Sequence, residues 1–64
     1  MEIKEADHIL KQGKSVLYNG HEYKVKELVI WYDIQNRRKC SLILLDDKKN
    51  IYRVSIEQCE IKEE

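Results

Sequence analysis

The stretch SVLYNGHEYKV, residues 15–25, constrains the fold more than any other part of the chain. Asn-Gly is a preferred pair for a two-residue type I′ turn, because both central residues of that turn take positive φ. Apolar and polar residues alternate on either side of Asn19-Gly20, as they do in half-buried strands. The sequence therefore predicts a β-hairpin in which Tyr18 lies opposite His21.

The second strand of this hairpin continues through KELVIWYD, but its apolar phase changes midway. Apolar residues fall at odd positions before Lys26-Glu27 and include the even positions Leu28, Ile30 and Tyr32 after it. One extra residue at this point, a β-bulge, produces such a shift and bends the strand. We therefore expect one long, bent second strand.

Two more strands and a helical turn follow. The segments CSLILLD and IYRVS predict the third and fourth strands, and the polar segments DIQNRRK and DDKKN predict turns before each of them. SIEQCEI predicts one helical turn, with Ser55 capping toward Gln58, and then a short last strand that carries Cys59 and Ile61.

A short helix is predicted before the hairpin, from Ile3 to about Lys11. Its apolar residues fall on one stripe, and Gly13 is placed to end it. The stripe consists of Ile3, Ala6, Ile9 and Leu10. A helix of two or three turns is not stable alone in water, so we expect it to dock on the strands.

The order of these elements resembles the SH3-like barrel, as found in Tudor, KOW and many small bacterial domains. The segments that carry the resemblance are GKSVLYNGHEYKV and YRVSIEQCEI, and it extends from Gly13 to Lys62. It implies a mainly β fold, a small five-stranded SH3-like barrel preceded by a short N-terminal α-helix. The expected organisation is a single domain over residues 1–64, with the helix in 1–13 and the barrel in 14–62. No binding residue is carried over, because no segment matches a specific ligand motif.

The third strand is apolar on both faces, which raises the question of what covers the second face. Leu42 and Leu44 point one way, and Ile43 and Leu45 point the other. The N-terminal helix is the nearest available cover, and a weak homodimer is the second choice. We expect some apolar surface to remain for an unknown protein partner, which makes a non-catalytic protein-binding module our first functional hypothesis. Its contact face consists of Leu28, Ile30, Tyr32, Ile43 and Leu45.

Nucleic-acid binding is the alternative. The basic run Arg37-Arg38-Lys39 is predicted at a hairpin tip, with Trp31 and Tyr52 as stacking surfaces. The 12 basic residues equal the 12 acidic residues, however, and a dedicated polyanion binder usually has a basic excess. The same charge pattern is typical of solvated turns.

Catalysis and metal binding find no support in the sequence. His8, His21, Cys40 and Cys59 lack the short spacings of a zinc site. The serines have no triad context, and the chain is too short to form a large pocket. We therefore expect that the protein is not an enzyme and has no cofactor. Cys40 and Cys59 can in principle form a disulfide, but in a cytosolic chain they are more often reduced and buried.

The N-terminus MEIKEADHILKQG has no apolar signal core. The apolar runs LVIWY and LILL are too short to span a bilayer. We therefore expect a cytoplasmic protein with no membrane partner. Abundant Lys and Ile without Pro are typical of a small bacterial or phage protein.

Overall fold

The structure, a computed structural model, describes residues 1–62. Within them, one α-helix precedes five strands: α1 (Ile3–Gln12), β1 (Ser15–Tyr18), β2 (His21–Tyr32), β3 (Arg38–Leu45), β4 (Ile51–Ser55), a 3₁₀ turn (Ile56–Gln58) and β5 (Glu60–Ile61). The strands form one antiparallel sheet in the order β4-β3-β2-β1-β5. The fold is therefore mainly β with a short N-terminal helix, as the sequence predicts. The expected single domain also includes Glu63 and Glu64, which lie outside the described residues.

The predicted hairpin and bulge are both confirmed. Asn19 and Gly20 have φ values of 51° and 76°, and Tyr18 lies opposite His21. The pairing of β2 with β3 shifts register between Val25 and Glu27, so Lys26 is the extra residue. The shift lets β2 pair with β1 at one end and with β3 along the rest of its length.

The loop between β2 and β3 is held closed by the carboxylate of Asp33. Its Oδ1 accepts hydrogen bonds from the backbone N–H groups of Gln35 and Arg37, both at 2.9 Å. Asn36 takes a left-handed φ of 61°, a conformation that Asn tolerates better than most residues. The Asp side chain and the left-handed residue together reverse the chain within a short loop.

The loop between β3 and β4 repeats this design. Oδ1 of Asp46 accepts from the backbone N–H groups of Lys48 and Asn50 at 2.9 and 2.8 Å. The left-handed position is occupied by Lys49, with φ 65°. Lysine has no short polar side chain to support this conformation, so this loop carries more backbone strain than its counterpart.

Both helical segments have capped ends. Oε1 of Glu5 accepts from the backbone N–H of Glu2 at 3.0 Å, and Gly13 ends α1 with φ 66°. In the 3₁₀ turn, Oε1 of Gln58 accepts from the backbone N–H of Ser55 at 3.2 Å. The predicted cap between Ser55 and Gln58 is therefore confirmed.

Strand alternation gives the sheet two faces. The inner face carries the core, in which Leu42, Leu44 and Val16 are fully buried. Ala6 and Ile9 of α1 belong to the same buried cluster, so the helix docks on the inner face. The expectation that the helix covers the second face is wrong. The apolar stripe of the helix therefore contributes to the same core as the sheet.

The opposite side of β2, β3 and β4 is here called the outer face. Register and alternation assign it the following side chains: Glu22, Lys24, Glu27, Val29, Trp31, Lys39, Ser41, Ile43, Leu45, Ile51, Arg53 and Ser55. None of its apolar residues belongs to the core cluster or packs against it among residues 1–62. This face is the one that the helix leaves open.

Candidate functional site

The predicted basic run does not form one hairpin tip. Only Arg37 lies in the loop, because β3 already begins at Arg38. The compact loop built on Asp33 lets strand pairing resume earlier than the polar composition of DIQNRRK suggests. Arg38 lies opposite Tyr32 and Lys39 opposite Trp31, so these two cations point to different faces.

Arg37 is further committed within its own loop. Its Nε donates to Oδ2 of Asp33 at 3.0 Å, which forms an ion pair. The backbone hydrogen bond from Arg37 is the main reason that the pKa of Asp33 lies below its usual value. The side-chain hydrogen bond from Arg37 lowers this pKa further. Arg37 therefore offers less free charge to a polyanion than the sequence implies.

Trp31 lies across the outer face and is held from two sides. Its Nε1–H donates to Oγ of Ser41 at 3.1 Å, and Ser41 is buried. The guanidinium carbon of Arg53 lies 5.8 Å from the centroid of the Trp31 ring, within the range of a cation–π contact. The ring is 39% exposed, so this fixed aromatic surface remains accessible to a second molecule.

Aliphatic side chains continue this surface along β3 and β4. Ile43 and Leu45 are half-buried, and Ile51, opposite Leu45, is 59% exposed. Val29 is half-buried beside Trp31 on β2. The outer face thus carries an apolar strip made of one aromatic ring and aliphatic side chains.

The charges around this strip are mostly positive. Lys24, Lys39 and Arg53 are exposed on the outer face. Its acidic residues are Glu27 and Glu22, of which Glu22 is ion-paired with Lys62. Among residues 1–62, none of the three cations takes part in an ion pair. Their charge is available to a molecule that docks on this face.

The five residues predicted as a contact face do not share one face. Ile43 and Leu45 lie on the outer face, whereas Leu28, Ile30 and Tyr32 follow the inner phase of β2. Leu28 packs against the core, while Ile30 and Tyr32 lie beyond it and are exposed. The sequence predicts the bulge in β2. The face on which the apolar residues after the bulge lie, however, is set by the pairing of β2 with β3.

Tyr52, predicted as a stacking surface, lies on the inner side, away from Trp31. Its ring makes an edge contact with Tyr23 at 5.4 Å, and its hydroxyl donates to Oδ2 of Asp46 at 3.3 Å. Desolvation and the charge of Asp46 raise the pKa of Tyr52. Tyr52 and Trp31 therefore do not form one stacking platform.

Arg53 is a candidate site residue that the sequence did not single out. Arg53 lies between Tyr52 and Val54 in β4, so the alternation of the strand predicts that its side chain points to the other face of the sheet. Its contact with Trp31, however, depends on Ser41, because a small residue between the two strands leaves room for the indole ring.

Cys40 and Cys59 are free thiols buried in the core. Burial raises the pKa of both, which keeps them protonated and poor as nucleophiles. Within residues 1–62 no group of three or more His, Cys, Asp or Glu side chains is arranged to hold a metal ion. The same residues contain no helix of the length and apolarity that crossing a membrane requires.

No protein-family model, curated protein or solved structure matches this chain at a significant level.

Proposed function

We propose that this protein is a small, non-catalytic binding module that contacts a protein partner through its outer face. The observation that carries this proposal is the apolar strip of Trp31, Ile43, Leu45 and Ile51, which neither core nor helix covers. Interfaces are enriched in aromatic residues and Arg at their centres and carry polar groups at their rims. Trp31 with Arg53 packed on it, surrounded by exposed cations, matches that composition.

The charges of the outer face indicate the kind of partner. Three unpaired cations and one unpaired carboxylate, Glu27, surround the strip, so an acidic protein surface is electrostatically complementary to it. A second copy of the chain fits less well, because two outer faces would bring like charges together. The weak homodimer expected from the sequence is therefore the second choice for this face.

We further propose that the sheet is a variant of the SH3-like barrel. The order β4-β3-β2-β1-β5, the bulge in β2 and the 3₁₀ turn between β4 and β5 support this proposal. A solution structure tests it: nuclear Overhauser contacts between Val16 and Val54 are expected if the two ends of the sheet fold toward each other. The buried free thiols also favour action in the reducing cytoplasm.

Capture experiments with matched variants test the protein-binding proposal. The full chain, immobilised through a tag, is incubated with a lysate of its source cells, and retained proteins are quantified by mass spectrometry. A specific partner is expected to be retained by the wild type and lost with Ile51→Lys and with Trp31→Ala.

Ile61→Lys is the matched control, because Ile61 is a comparably exposed isoleucine on β5, away from the outer face. A partner that is lost equally with Ile61→Lys, or a set of retained proteins insensitive to all three changes, would contradict the proposal.

Nucleic-acid binding remains the second candidate, since Trp31, Lys39 and Arg53 share the outer face. Phosphate contacts make such binding fall steeply as salt rises. A filter-binding titration with single-stranded DNA and RNA, repeated with Arg53→Gln, distinguishes the two candidates. Retention at low salt that Arg53→Gln abolishes favours nucleic acid, and absence of retention removes this candidate.

A further inference from the structure

The far end of the β2–β3 hairpin extends past the strands beside it. β4 pairs with β3 only from Ser41 to Leu45, and β1 pairs with β2 only as far as Lys24. Residues 30–40, here called the arm, therefore form a two-stranded ribbon without a third strand. The molecule is correspondingly elongated, with dimensions of 36 × 22 × 20 Å.

Large apolar side chains are exposed along this arm. Ile34 at the tip is fully exposed, and Tyr32 and Ile30 behind it are 62% and 48% exposed. The Asp33 hydrogen bonds fix the loop, yet none of them needs an apolar residue at position 34. Nothing within residues 1–62 buries the Ile34 side chain, so its apolar character has no role in the fold.

Aromatic and cationic residues are paired behind the tip. Tyr32 lies opposite Arg38, and Trp31 lies opposite Lys39, so two successive cross-strand pairs each hold one ring and one cation. The order along the arm therefore starts with the aliphatic side chain of Ile34 at the tip and continues with the ion-paired loop. The two cross-strand pairs of an aromatic ring and a cation come next. A membrane presents the same sequence of environments: hydrocarbon, then an interface that favours Trp and Tyr, with lipid phosphates beside it.

The charge of the arm matches an anionic surface. Arg37, Arg38 and Lys39 face one carboxylate, Asp33, so the arm is net positive. Glu2 and Glu57 line the groove beside Arg38 and Lys39, and no ion pair joins them to these cations among residues 1–62. The two cations are therefore free to contact lipid phosphates.

We propose that the arm docks on the surface of an anionic lipid bilayer. Ile34 enters the boundary of the acyl chains, the rings of Tyr32 and Trp31 lie at the level of the headgroups, and Arg38 and Lys39 contact phosphates. Nucleic acid fits the arm less well, because a protruding aliphatic side chain contributes nothing to phosphate or base contacts. No helix within residues 1–62 has the length and apolarity to cross a membrane, and a surface contact is a different mode of binding. It differs from the expectation, drawn from the sequence, that the protein has no membrane partner.

Binding through one aliphatic side chain and a few cations is weak and reversible. A basic residue near an anionic surface strengthens binding by about fivefold. The double change Arg38→Gln with Lys39→Gln is therefore expected to weaken vesicle binding by at least about tenfold. Ile34→Ser is expected to weaken it by about fivefold or more, since it removes the aliphatic side chain that leaves water on binding.

The experiment uses the full chain and unilamellar vesicles of phosphatidylcholine, alone or with one third phosphatidylglycerol. Binding is measured by co-sedimentation and by the emission of Trp31, the only tryptophan of the chain. The wild type is expected to bind the anionic vesicles, with a blue shift of the emission, and to release them as salt is raised. Vesicles of phosphatidylcholine alone are expected to bind much less.

Ile61→Ser is the matched control, because it removes an exposed isoleucine outside the arm. It is expected to bind vesicles like the wild type. The proposal is overturned if the wild type does not bind anionic vesicles at low salt, or if Ile34→Ser and Ile61→Ser bind equally. Low-salt retention of single-stranded RNA that depends on Arg38 and Lys39, without vesicle binding, would also overturn it and assign the arm to nucleic acid.

Discussion

Trp31 on β2 donates its indole N–H to Ser41 on β3, and Ser41 is the one buried polar residue among residues 1–62. Ser41→Ala removes the acceptor, and we expect it to lower the free energy of unfolding by about 0.5–1.5 kcal/mol. Urea titration measures the change. In the Trp31→Phe background the same substitution should cost less, since the hydrogen bond is already absent. Equal costs in both backgrounds would show that the bond contributes nothing.

Leu44 and Leu45 are neighbours in β3 that point to opposite faces. Leu44→Ala removes a fully buried side chain, and we expect it to cost about 2–5 kcal/mol of the free energy of unfolding. Leu45→Ala affects a half-buried side chain on the outer face and should cost clearly less. Thermal and urea unfolding of the two variants compare them directly. A larger cost at Leu45 would mean that the strand is placed with the wrong phase.

Asp33 and Asp46 make stability depend on pH in the acidic range. Hydrogen bonds, first the one from the backbone of Arg37, lower the pKa of Asp33. At Asp46 desolvation is the largest single influence and acts to raise the pKa, but the hydrogen bonds from Asn50, Lys48 and Tyr52 together lower it. Because the folded pKa values lie below the unfolded ones, the unfolded state binds protons first as the pH falls. The stabilisation is thus present above the ordinary Asp pKa and lost below it.

Urea midpoints measured from about pH 6 down to about pH 2 test this dependence. Asp33→Asn and Asp46→Asn should each flatten the acidic fall, while Asp47→Asn, which leaves these hydrogen bonds intact, should not. A fall of the same steepness in all four proteins would refute the assignment.

Lys49 holds a left-handed conformation that glycine adopts without strain. We expect Lys49→Gly to raise the free energy of unfolding by up to about 1 kcal/mol, because relief of strain exceeds the added entropy of the unfolded chain. Lys48→Gly is the matched control, since φ is not positive at Lys48. It should be neutral or destabilising. Stabilisation by both substitutions would point to charge rather than backbone strain.

The buried thiols should react slowly in the folded protein. Burial raises the pKa of Cys40 and Cys59, and the thiolate is the reactive form. We expect a disulfide reagent to label neither residue readily at about pH 8, and to label both rapidly in urea. Rapid labelling without denaturant would show that the inner face opens far more often than its packing implies.

Local sequence signals predicted most of the fold. Asn19-Gly20 defines its hairpin through the φ values that the turn requires, and the phase shift at Lys26 marks a bulge within a single strand. The cap between Ser55 and Gln58 is equally local. These features depend on residues near one another in the chain, so pattern and propensity are sufficient to find them.

The site depended on contacts between distant residues and was less predictable. The apolar stripe of α1 is compatible with docking on the inner or the outer face of the sheet. The tertiary fold decides between them, and α1 packs on the inner face. Leu28 and Ile43 lie on opposite faces because of the pairing register between β2 and β3. Likewise, the contact between Trp31 and Arg53 joins strands that are not adjacent in the sheet. Periodicity within one strand cannot specify any of these relationships.

The pairing of β5 with β1 has a consequence for synthesis of the chain on the ribosome. Val16 pairs with Ile61, so the edge of β1 stays open until the last strand has been made. At about 5–20 residues per second, Ile61 follows Val16 by roughly 2–9 s. A hairpin forms within about 1–10 μs, so β1 can pair with β2 before β5 exists, although a two-stranded hairpin alone is only marginally stable. During those seconds the nascent chain presents an unprotected strand edge, which is where a chaperone or a neighbouring nascent chain can bind.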